Sequence, residues 1–240
     1  MTDLDRETLA RMIDHTKLSP QAGEKKIANL CREARAFGFY AVCINGSYVR
    51  FAWEKLQGSS VQVCTVVGFP LGASTSTAKA CEASEAVCNG AAEIDMVIHI
   101  GALRDRRYDL VRDDIRAVVE AGRPALVKAI LETCFLTDEE IVSGCRLAVE
   151  AGAKFVKTST GFGTSGASAD HVRLMRQTVG PAIGVKASGG IRHLRDARAL
   201  IQAGASRLGG SASVAIIKEL IREKLEKERE KEREYGKRHV

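Results

Sequence analysis

The stretch EAGAKFVKTS, residues 150–159, ends one kind of structure and begins another. A helical pattern runs up to Ala-Gly, and glycine just past a helix closes it in a left-handed cap. The short apolar run behind it reads as a strand, with a lysine set inside. The same order recurs in AFGFYAVCI (36–44), CNGAAEIDMVI (88–98), EAGRPALVKAIL (120–131), TVGPAIGVKAS (178–188) and QAGASRLGGS (202–211). SSVQVCTVVGF (59–69) adds a strand after a Gly-rich turn, and RMIDHTKL (11–18) supplies the first.

Eight strands are therefore predicted near residues 13, 41, 62, 93, 126, 154, 183 and 207. Amphipathic helices are predicted between them over 21–37, 76–89, 106–121, 137–151, 168–178 and 193–203. Several strands read as continuously apolar, as parallel strands covered on both faces do. Eight such units in about 220 residues predict an α/β chain forming a single closed (β/α)8 barrel, with an N-terminal helical segment. An open doubly wound sheet is the alternative, but no G-x-G-x-x-G turn follows the first strand. The barrel domain is expected over 1–222, and EKLEKEREKEREYGKRHV (223–240) as a charged C-terminal extension. Val214 to Leu225 can continue a packed helix, and beyond them a frayed extension is expected, solvated and supported by i,i+4 charge pairs where helix persists; an arm that touches a partner subunit or the active-site mouth is the alternative. Tyr235 receives no role.

Of the 240 residues, 45% are apolar and 28% charged, the balance of a globular protein with a full core. No run of 18 apolar residues predicts a membrane span, and MTDLDRETLA lacks the basic and apolar regions of a secretory signal. Seven cysteines, an odd number without C-x-x-C, read as free thiols of a cytoplasmic protein. The five histidines, His15, His99, His171, His193 and His239, show no close ligand spacing, so no metal is expected. Net charge is +6, but bases and acids interleave and aromatics are only 5%. A small anionic substrate suits that balance better than nucleic acid.

In a parallel barrel the carboxyl ends of the strands face the active site. Asp95 stands there on strand four, Lys128 on strand five with Glu132 behind it, Lys157 on strand six and Lys186 on strand seven. Buried charges need partners. The lysines either pair with Asp95 or Glu132 to hold the barrel, snorkel outward, or do chemistry. The chemistry that suits them is Schiff-base formation, in which a second ammonium and partial desolvation favour a neutral amine. Lysines on adjacent strands lie close enough for this, so those of strands six and seven can act as nucleophile and tuner. Asp95 can shuttle protons directly or through water. Spacing alone leaves Lys128 open as the nucleophile. The loops STGFGTSG (159–166), SGGI (188–191) and LGGSAS (208–213) suit a phosphate, and Arg192 can add charge.

IDHTKL (13–18), VCI (42–44), VVGFPLG (66–72), EIDMVI (93–98), LVKAILET (126–133), FVKTSTGF (155–162), GVKASGGIR (184–192) and GGSAS (209–213) together resemble the deoxyribose-phosphate aldolase family, in that family's order. The resemblance implies a cofactor-free class I aldolase that reversibly splits 2-deoxy-D-ribose 5-phosphate into D-glyceraldehyde 3-phosphate and acetaldehyde. It implies Lys157 as the Schiff-base residue, Lys186 as the residue that tunes it, and Asp95 as proton relay. Phosphate contacts carry over to Gly161, Gly189, Gly190, Gly209 and Ser211. Asp14, Thr160 and Lys128 line or buttress the pocket, and Cys43 lies beside it. A homo-oligomer, dimer or tetramer, is expected, with no nucleic-acid or membrane partner. One departure is Phe162, where some members carry lysine. Rival readings are another Schiff-base aldolase acting on a longer ketose phosphate, a metal-dependent aldolase, and a barrel that binds without chemistry.

Overall fold

The computed structural model describes residues 4–238. In chain order they form α1 (Arg6–Arg11), β1 (Ile13–Lys17), α2 (Glu24–Phe37), β2 (Ala41–Ile44), α3 (Val49–Leu56), β3 (Gln62–Val67), α4 (Ser76–Cys88), β4 (Glu93–Val97) and α5 (Ile100–Arg104). There follow α6 (Tyr108–Ala121), β5 (Leu126–Ile130), α7 (Asp138–Glu150), β6 (Phe155–Lys157), α8 (Ala169–Val179), β7 (Gly184–Ser188), α9 (Leu194–Gln202), β8 (Arg207–Gly210) and α10 (Ser213–Arg238). All eight strands pair in parallel with their sequence neighbours, and β8 closes on β1 through Asp14 opposite Gly209. The expected barrel is what forms.

The passage from α7 into β6 behaves as its residues dictate. Thr137 caps the N-terminus of α7 in a capping box with Glu140, and three acids occupy its first turn, where the helix dipole favours them. Past its end Gly152 takes φ 96°, the left-handed region that glycine enters at little cost, and donates to the Val149 carbonyl at 3.0 Å. The chain then reverses into β6.

One expectation needs refining. β4 and β5 are not apolar on both faces but alternate. Ile94, Met96, Val127 and Ala129 point into the main core under the helices, whereas Glu93, Asp95 and Lys128 are buried and bonded to one another across the barrel interior. Side chains alternate along a strand with period two, so burial of both faces does not require both to be apolar if the inner one is internally paired. Two helices were not foreseen. α3 buries Val49, Ala52 and Leu56 at i, i+3 and i+7, and α5 is a single short turn behind β4.

Where a frayed extension was expected, helix α10 continues to Arg238, packing Ile216, Ile217 and Leu220 into the core before it leaves the barrel. Its support differs from the expected i,i+4 pairs. Lys227 does reach Glu223 at 2.8 Å. From Glu226 to Glu234 the strict alternation of acid and base puts like charges at i,i+4 and opposite charges at i,i+3. Residues 239 and 240, and the side chain of Tyr235, lie outside the described residues. Among those described, no helix is long and apolar enough to cross a membrane.

Candidate active site

Every strand contributes to one buried polar cluster inside the barrel. Asp95 of β4 is its hub. Oδ2 accepts from Lys157 Nζ of β6 at 2.7 Å and from Lys186 Nζ of β7 at 2.7 Å. Oδ1 accepts from Lys128 Nζ of β5 at 2.9 Å and from the Cys64 thiol of β3 at 3.1 Å. Cys43 of β2 stands 3.9 Å from Oδ2. Lys186 also donates to Asp14 of β1, whose other oxygen takes Arg207 of β8 at 2.8 Å. Glu93 pairs with Lys128 at 2.6 Å and with Arg207 at 3.2 Å. Four cations thus face three carboxylates, leaving one positive charge in excess when all are ionised.

The pairing sets the ionisation. Burial alone would push Asp95 up, but Lys128, Lys157 and Lys186 hold it well below the usual carboxylate range. Burial is likewise outweighed at Asp14, which Lys186, Lys128 and Arg207 bring down to about 2. Burial opposes charge on Lys186 and Lys128, yet the carboxylates around each lift both above the ordinary lysine value. Lys186 and Lys128 are therefore fixed cations. The contact with Cys64 lowers Cys43, while burial raises Cys64.

Depth separates the three lysines. Lys157 lines a cavity of about 520 Å³ at the carboxyl end of the barrel, and Lys128 and Lys186 do not. Lys128 lies below, next to Glu93 near the start of β4, and Arg207 closes the lower end with its guanidinium 3.6 Å from the Tyr40 ring. The same cavity is lined by Thr160, Gly161, Gly189, Gly190, Gly209 and Ser211, so the residues expected to hold phosphate stand together over Lys157. Gly189 and Gly190 both have positive φ, 84° and 78°, which the tight turn demands. Arg192 and Lys17 add cationic side chains to the wall. Phe162 also lines it and meets Phe69 edge-on, ring centroids 5.3 Å apart.

Other expectations are met differently. Glu132 pairs with no lysine among the described residues. It turns on a left-handed backbone, φ 57°, and accepts from the Thr160 amide at 3.2 Å and from the Thr160 hydroxyl. Its task is to hold the loop after β6. Thr160 therefore lines the cavity while being anchored from behind. Asp14 and Lys128 buttress the cluster without reaching the cavity, and Cys43 is buried beside Asp95. Reading the strands did not find Glu93 or Arg207. Glu93 had a signal, since it stands two residues before Asp95 and so shares its face. Arg207 had none, because its partners come from the opposite end of the chain and from the far side of the barrel.

A parallel barrel holding a shared-carboxylate lysine beneath an anion-ready cavity is the build of class I carbon–carbon lyases, which activate carbonyl substrates on lysine. Residues 8–217 match the model of the DeoC/LacD family aldolases, and the chain belongs to that family. It is 57% identical over 216 residues to a deoxyribose-phosphate aldolase of Lysinibacillus sphaericus, covering 90% of this chain and 97% of that one. It is 58% identical over 210 residues to that of Streptococcus sanguinis, covering 88% and 96%. The fold matches the tetrameric deoxyribose phosphate aldolase of Aeropyrum pernix with a TM-score of 0.83 at 35% identity, over 89% of this chain and 91% of that one.

Proposed function

We propose that this chain catalyses the reversible cleavage of 2-deoxy-D-ribose 5-phosphate to D-glyceraldehyde 3-phosphate and acetaldehyde through an imine on Lys157. The observation that carries the reading is that Lys157 alone of the three clustered lysines lines the cavity, and shares its carboxylate oxygen with Lys186. A free amine attacks the C1 aldehyde and water leaves, forming the imine. Base removes the proton of the C3 hydroxyl, the C2–C3 bond breaks, and its electron pair enters the imine system as an enamine. Glyceraldehyde 3-phosphate departs. Protonation of the enamine at C2 and addition of water release acetaldehyde and restore the amine.

The surrounding groups have separate tasks. Lys186, held cationic by Asp14 and Asp95, places a fixed positive charge beside Lys157, which is the tuning role assigned to it. Asp95, saturated by three ammonium groups, stays anionic and relays protons between neighbours rather than storing one. The loops bearing Gly161, Gly189, Gly190, Gly209 and Ser211 take the phosphate, with Arg192 supplying charge. The chemistry needs no metal or organic cofactor, because the imine itself is the electron sink.

The catalytic unit is residues 1–222, with 223–240 an appendage of which no described residue lines the cavity. A homo-oligomer, dimer or tetramer, in the cytoplasm completes the reading. It accords with the tetrameric relative and with the free, mostly buried or half-buried thiols. Borohydride trapping in acetaldehyde, followed by peptide mapping, tests the mechanism. A gain of about 28 Da on Lys157 is expected for a reduced two-carbon imine. An adduct on Lys128 or Lys186 instead would overturn the roles assigned to the three lysines, and no adduct would remove imine catalysis.

A further inference from the structure

Beside the cavity over Lys157 lies a second one, of about 690 Å³, between the end of β1 and the outer face of α2. Thr16, Lys17 and Ser211 line both, so the two spaces adjoin at the edge of the loops after β1 and β8. Lys17, Lys25, Lys26 and Arg32 surround the second space. None of these four forms an ion pair among the described residues. The one carboxylate in the wall, Glu33, is already engaged, accepting from Asn29 at 2.8 Å and meeting buried His15 Nε2 at 2.8 Å. Four cations around one concavity repel one another, and low-dielectric walls focus their field on whatever enters.

A surface that merely kept the protein soluble would not need its cations gathered around a hollow that adjoins an anion cavity. We infer that this space is a second anion subsite, which holds the distal phosphate of a diphosphate group whose proximal phosphate sits on the loops after β7 and β8. The inference rests on reading the first cavity as the phosphate site. Lys17 and Ser211 stand on the boundary that the bridging oxygen would have to cross, and Lys25, Lys26 and Arg32 supply donors for the outer phosphate. The ligand class is a small diphosphate ester, bound with its terminal phosphate outside the site of bond cleavage. Such a molecule excludes the monophosphate substrate by occupying its phosphate loops.

Inorganic orthophosphate and inorganic pyrophosphate are compared as inhibitors of deoxyribose 5-phosphate cleavage at matched ionic strength. Pyrophosphate is expected to compete with substrate about tenfold more tightly than orthophosphate, the worth of roughly one added charge-assisted hydrogen bond. In the triple variant Lys25→Gln/Lys26→Gln/Arg32→Gln that excess disappears, while orthophosphate inhibition and kcat/KM stay at parent values. All three side chains are exposed, so the fold tolerates the change. Equal inhibition by the two anions in the parent overturns the second subsite alone, as does an excess that survives in the variant. If neither anion competes, the phosphate reading of the first cavity falls and takes this inference with it.

Discussion

Lys157 and Lys186 are directly paired positions on neighbouring strands, and both ammonium nitrogens reach one oxygen, Asp95 Oδ2, at 2.7 Å. Their equivalence ends there. Lys186 has Asp14 as a second carboxylate and is buried away from the cavity, whereas Lys157 has only the shared oxygen and lines the cavity. One side chain is a fixed charge and the other is available to react.

Replacing Lys157 by alanine is expected to lower kcat by at least about 1,000-fold, since no other lysine of the buried cluster lines the cavity in its place. The circular dichroism spectrum should stay that of the parent, and the borohydride adduct should vanish. Residual turnover near the parent rate would assign the chemistry to another group.

Replacing Lys186 by methionine removes the neighbouring cation and leaves Asp95 Oδ2 to Lys157 alone. kcat/KM is expected to fall by at least about tenfold while the borohydride adduct on Lys157 still forms, because the nucleophile remains and only its cationic neighbour is lost. A parent kcat/KM in the variant would dismiss Lys186 as tuner.

Asp14 carries a pH dependence of stability. Its folded value, about 2, lies below the ordinary aspartate value, so the contribution is complete above pH of about 4 and is lost as pH falls through the folded value. Asp14→Asn leaves Lys186 and Arg207 short of a buried partner and should cost about 3–5 kcal/mol at neutral pH. Urea unfolding at pH 7 and at low pH checks both parts: the difference between parent and variant should shrink in acid.

Phe162→Lys puts an ammonium on the cavity wall where the edge-on contact with Phe69 now lies. KM for the phosphorylated substrate is expected to fall several-fold, with kcat within about twofold, because the added charge meets the phosphate and not the reacting carbons. Steady-state kinetics with phosphorylated and unphosphorylated aldehydes in the synthesis direction separates the two contributions. A gain of equal size for both would show that the phosphate is not what the lysine meets.

Much of this protein was legible along the chain, and for local reasons. A glycine past each helix and a β-branched run behind it place a strand wherever they occur, since capping and strand propensity act over a few residues. The lysines of β5, β6 and β7 were visible as charges within apolar strands, and the loops after β6, β7 and β8 as small-residue turns. α3 was missed because Tyr48, Phe51 and Trp53 blurred a stripe that only Val49, Ala52 and Leu56 bury. The burial of Glu93 beside Asp95 was not legible, because two carboxylates become compatible with burial only when their cations arrive from other strands.

The sequence by itself determined the number and order of the units, the residue types at the strand ends and, through the motifs around Lys157 and Lys186, the family resemblance. Tertiary structure alone decided which lysine meets the cavity and which charges neutralise one another. Period two assigns a side chain to a face but not to a depth, and closure of the barrel joins Asp14 to Arg207 across 193 positions of chain. A buried charge is stabilised by neighbours in space, and a linear pattern does not specify them.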